Sequence, residues 1–170
     1  MEKPNALAIV LLACLFFATA TGQTPKPGSA TETATKTDQT LITSLSSRSF
    51  QQLVQAMGFE CSRVKDDSGK EEESYFLFRA EGYKVAGFVG EGFVQLYNAF
   101  TDVNPELVTV NEWNKANSHC RAYVDGEKNA VLESELIISG GVTRANVEMF
   151  VKTYRDNVAR WARFVLDHKK

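Results

Sequence analysis

Glu133 and Glu135 are the residues whose types and spacing first suggest chemistry. They stand two apart in the run Ala130 to Ile138, where Leu132, Ser134, Leu136 and Ile138 alternate with Glu133, Glu135 and Ile137. A strand there sets both carboxylates on one face. Paired carboxylates are what acid–base hydrolysis requires, but alternate residues of any strand point the same way, and no sugar-stacking aromatic can be named beside these. A solvent-facing pair is the expectation, with a hydrolase or small-ligand protein using Glu133 and Glu135 as the alternative. His119 adjoins Cys120, which suggests a thiol–imidazole pair; neighbours on a regular strand point to opposite faces, so none is expected. Asn111 and Asn114 flank Trp113 at helical spacing and share a face. They could grip a peptide backbone or ligand, but the expected role is internal, since buried amides are normally satisfied within the fold. The Trp, Met and Phe side chains on the helices are expected to be core.

Other patterns carry less. Gly87-Phe88-Val89-Gly90-Glu91-Gly92 has neither the glycine order of a phosphate loop nor a helix after it. Glu71-Glu72-Glu73 reads as a solvated loop. No C-x-x-C, H-E-x-x-H or G-x-S-x-G spacing occurs, and no aspartate-rich calcium loop. No catalytic residue, cofactor or metal is therefore assigned. A net charge of −2 over 170 residues gives no long-range pull towards polyanions, which argues against nucleic acid.

The N-terminus points to export. Lys3 precedes an apolar run from Ala6 to Ala20, and Ala18-Thr19-Ala20 supplies small residues at alternate positions, the layout of a signal peptide over residues 1–22. The run is shorter than the ~20 apolar residues of a spanning helix, so no transmembrane span is expected after cleavage, and an uncleaved anchor is the alternative. Residues 23–43 are rich in Thr and Pro and read as a flexible tether. The expected compartment is the periplasm or the extracellular space. Of the cysteines, Cys61 and Cys120 would survive cleavage. A pair in an exported protein invites a disulfide, but a bridge needs their two strands close together, so two buried free thiols are the expectation and the Cys61–Cys120 disulfide the alternative.

The elements that must position these residues fill 44–168. Phe50, Leu53, Val54 and Met57 make one face of a helix over Leu45 to Gly58. Phe59 to Lys65, Tyr75 to Ala80, Tyr83 to Val89 and Phe93 to Phe100 read as strands, the last three joined by the two-residue links Glu81-Gly82 and Glu91-Gly92. Asn104-Pro105-Glu106 reads as a helix start, with Asn104 capping, and the helix fades near Asn117. His119 to Val124 and Ala130 to Ile138 form a hairpin, and Thr143 caps a long helix ending near His168. The order is α-β-β-β-β-α-β-β-α: an α+β domain with an antiparallel sheet of about six strands and helices packed on it.

Leu96-Tyr97, Asn111-Glu112-Trp113-Asn114, Arg121-Ala122-Tyr123, Leu132-Glu133-Ser134-Glu135-Leu136 and Gly140-Gly141-Val142-Thr143 occur in this order and spacing. Together they resemble the YbjN family of bacterial proteins, sometimes labelled sensory transduction regulators, across about Phe50 to Leu166. The resemblance implies a fold akin to type III secretion chaperones, no established catalytic residues, and non-covalent binding of a protein or peptide, with a homodimer as one form. Asn111, Trp113, Asn114, Glu133 and Glu135 are the residues nominated for partner binding or structure. The expected function is that of an exported, non-enzymatic binding domain.

Overall fold

Strand periodicity and helix capping account for most of the element boundaries. The computed structural model describes residues 40–65, 68–71 and 74–168; the expected signal peptide and residues 23–39 of the expected tether lie outside them. Helix α1 (Ser47–Ala56) starts at Ser46, whose hydroxyl accepts the Ser49 amide, and it buries Phe50 and Val54. Strands β1 (Cys61–Ser62), β2 (Tyr75–Ala80), β3 (Tyr83–Gly90) and β4 (Phe93–Phe100) follow, then α2 (Leu107–Ala116), β5 (Arg121–Val124), β6 (Ala130–Ile137) and α3 (Arg144–Asp167). The strands form one antiparallel sheet in the order β1-β2-β3-β4-β6-β5. The expected fold class and element order are those observed.

Glu81 and Gly82 turn β2 into β3 with both φ angles positive, at 50° and 84°. That is the backbone a two-residue hairpin link demands, and glycine supplies its second position without steric cost. All three helices lie on one face of the sheet. Phe76, Phe78, Val85, Val94, Leu96 and Leu132 point beneath them, with Val151, Tyr154, Val158 and Trp161 of α3 packed above. At Gly87 the layers come too close for a side chain: a Cβ would sit 2.7 Å from the Phe76 ring and 3.4 Å from that of Phe50.

Three boundaries differ from expectation. The folded part begins before residue 44, because Ile42 exchanges two backbone hydrogen bonds with Val142, at 2.7 and 3.0 Å. Strand β1 is two residues long, not seven; beyond it Arg63 takes over, its guanidinium donating to Gln51, Ser47 and the Tyr75 carbonyl. Helix α2 starts at Leu107 after Glu106, which makes no side-chain cap. Asn104, with φ 41°, lies two residues ahead of that N-cap position and is not the residue that starts the helix. Thr143 does cap α3, in a reciprocal pair with Asn146.

Candidate functional site

The sheet face away from the helices is uncovered among the described residues, and the register fixes which side chains line it. Tyr75 lies across from Phe88, Phe88 from Gln95, and Gln95 from Glu135. In the next row Leu77, Ala86, Tyr97, Glu133 and Arg121 follow one another across five strands. Phe93 sits beside Ile137, which is 58% exposed. The rings make a chain, Tyr75 to Phe88 at 5.2 Å and Phe88 to Tyr97 at 6.4 Å between centroids. A hollow of about 420 Å³ opens on the same strands, lined by Leu77, Ala86, Tyr97 and Ala99 among others.

Glu133 and Glu135 share this face but not an environment. Glu135 is exposed, as expected, whereas Glu133 is only 9% exposed, a departure from the expected solvent-facing pair. Its burial follows from its neighbours. Arg121 pairs with one oxygen, and the Tyr123 hydroxyl donates to the other at 2.8 Å. Burial and the bond to Glu133 together push the Tyr123 phenol up to about 12, and burial does the same in direction for Tyr97. Both oxygens of Glu133 are thus engaged in an ion pair and a hydrogen bond, which leaves no lone acid–base couple with Glu135. Among the described residues no group of three or more His, Cys, Asp or Glu could hold a metal.

The asparagines divide in the same way. Trp113 is 3% exposed and packs against Trp161 with ring centroids 5.1 Å apart and planes tilted by 59°, so it belongs to the core. The Asn114 amide accepts the Ala122 N–H and donates to the Ala122 carbonyl, both at 2.9 Å. It replaces the strand neighbour that β5 lacks on its outer edge and fixes α2 against the sheet. Asn111 is exposed, and among the described residues its side chain bonds to no strand, contrary to expectation.

Cys61 and Cys120 are both free. An intramolecular disulfide is excluded by the strand order: Cys61 lies on β1 and Cys120 just before β5, at opposite edges of the sheet. Five strand spacings amount to roughly 24 Å, against the ~7 Å a bridge tolerates. Burial pushes both thiols up to about 11. His119, with φ 69°, is outside the strand expected to hold it, and no hydrogen bond joins it to Cys120 among the described residues.

With that geometry in view, comparison with known proteins assigns the chain to a family. The YbjN family model, described as "Putative bacterial sensory transduction regulator", matches residues 48–167. The chain belongs to the YbjN family. Among solved structures, this YbjN chain is similar to the Yersinia pestis type III secretion chaperone SycH, determined in complex with a stable fragment of YscM2. Sequence identity is 12% and the TM-score 0.44, over 68% of this chain and 98% of that one. No curated protein matches the chain. The aromatic face of the YbjN domain was missed from sequence. Its signal was there in Tyr75 to Phe100, where apolar residues occupy consecutive positions and so line both faces of the strands.

Proposed function

We propose that this YbjN protein is an exported, non-enzymatic binding module that holds a segment of a partner protein on the open face of its sheet. The observation that carries the reading is the chain of rings Tyr75, Phe88 and Tyr97, spanning two rows of a face that no helix of the described residues covers. Aromatic side chains supply large contact area at low entropic cost and are enriched where proteins meet. The family description, a regulator of sensory transduction, accords with non-covalent action. Export rests on the signal-peptide layout of residues 1–22. The competing reading, a hydrolase or small-ligand protein built on Glu133 and Glu135, has less support because Glu133 is already committed to Arg121 and Tyr123.

The test is a photo-reactive benzoylphenylalanine placed at Phe88 and, as control, at Lys152 on the exposed side of α3. In the producing cells, the Phe88 probe should give a discrete heavier adduct that the Lys152 probe does not, identified by mass spectrometry. An adduct of twice the protein's mass would assign the face to a homodimer. No adduct from Phe88, or the same adducts from both positions, would sink the reading.

A further inference from the structure

Strand β5 ends before its neighbour does, and the lane it leaves is shaped for another strand. β6 runs from Ala130 to Ile137, but β5 pairs only with Ala130 to Glu133. In an antiparallel ladder each residue aims its N–H and C=O to the same side, alternating along the strand. Ile138, just past β6, donates to Gly92, just ahead of β4, at 2.8 Å; even-numbered residues of β6 therefore face β4, and odd-numbered ones face the β5 side. Asp125 donating to Asn129 on that side, at 3.2 Å, gives the same parity. The backbone groups of Glu135 and Ile137 accordingly point into a lane that no strand of the described residues fills.

Continuing the β5 register would set His119 opposite Glu135. Its φ of 69° turns the chain out of line instead, and its carbonyl accepts the Ser134 hydroxyl at 2.5 Å. The vacated space is a hollow of about 320 Å³ lined by His119, Cys120, Arg121, Glu133, Ser134 and Glu135. On the open-face side of the lane, Glu135 and Ile137 are both exposed, and Glu135 makes no ion pair among the described residues. Unpaired edges recruit strands unless charge prevents it. Glu135 disfavours a second copy of the same edge, which would bring two such carboxylates together, and it favours a chain that brings a cation.

We propose that this lane is a strand-addition site for an extended partner segment that carries Lys or Arg opposite Glu135 and an apolar residue opposite Ile137. The segment lies in line with β5 and antiparallel to β6; main-chain bonds supply its affinity and the two side chains its selectivity. This inference rests on the protein-binding reading above and names the class of segment bound.

The probe is acetyl-Thr-Val-Thr-Lys-Thr-amide, titrated into the ¹⁵N-labelled protein purified from its producing cells. Saturable shifts of the Glu135 and Ile137 amides are expected. N-methylation of the peptide's Val and Lys, which removes the N–H groups aimed at β6, should abolish them. Glu135→Lys should weaken the lysine peptide about fivefold and favour its Lys→Glu counterpart, the scale of a cross-strand charge pair. Equal binding by the methylated peptide overturns the proposal, as do shifts confined to Phe88 and Tyr97 or none at millimolar peptide. An edge that fails this titration while the Phe88 probe still yields a partner adduct sinks only the strand-addition site; loss of the adduct sinks the binding-face reading.

Discussion

Asn114→Ala would remove the amide that stands in for a strand partner of Ala122. Two hydrogen bonds disappear, each 2.9 Å long, and the backbone they satisfied belongs to a residue only 3% exposed. Each bond contributes about 0.5–1.5 kcal/mol net. Alanine returns roughly 0.5 kcal/mol of helix propensity in α2, and water can reach part of the vacated space because Asn114 is itself solvent-exposed. The net loss comes to about 1.5 kcal/mol. Urea unfolding followed by circular dichroism should show the midpoint falling by about 1 M with an unchanged slope, and the Ala122 amide should exchange faster with deuterium. Asn114→Asp should do no better than alanine, since a carboxylate still accepts the Ala122 N–H but opposes its carbonyl. A stability change under about 0.5 kcal/mol with unaltered Ala122 exchange would refute the idea that this amide completes the sheet edge.

Three further outcomes are expected. Trp113→Ala empties a site between Trp161 and Phe164 and should cost about 3–5 kcal/mol in the same assay. Under non-reducing conditions Cys61 and Cys120 should both be recovered as free thiols, and both should alkylate far more slowly at pH 8 than after unfolding, because burial holds them near 11. The Tyr123 phenol, raised to about 12, keeps its proton longer in the folded state than in the unfolded one. Its contribution to stability is therefore complete below about pH 10 and fades as pH climbs towards 12. Tyr123→Phe should flatten that alkaline decline in a stability-against-pH series.

The order of elements was legible because local rules wrote it. Alternation marked β6, the Glu81-Gly82 link marked a hairpin, and Thr143 announced α3 through its own hydroxyl. The local signal misled at Asn104, a residue type suited to a cap that sits three residues before Leu107 with a positive φ. It was also too coarse for β1, whose partner strand is satisfied by the Arg63 side chain rather than by more backbone.

What the site is made of depended on strand order, which no local pattern encodes. Alternation placed Glu133 and Glu135 on one face, but only the pairing with β5 put Arg121 and Tyr123 over Glu133 and left Glu135 bare. Whether the two cysteines could meet was open until the sheet set them at opposite edges. Asn111 and Asn114 lie on the same helix, yet only Asn114 meets Ala122, because α2 crosses β5 at that turn. Hydrophobic periodicity and capping act between residues a few positions apart, so the chain alone settles the elements. Burial of a carboxylate, separation of two thiols and the vacancy beside β6 arise between segments distant in sequence, and only the packed sheet decides them.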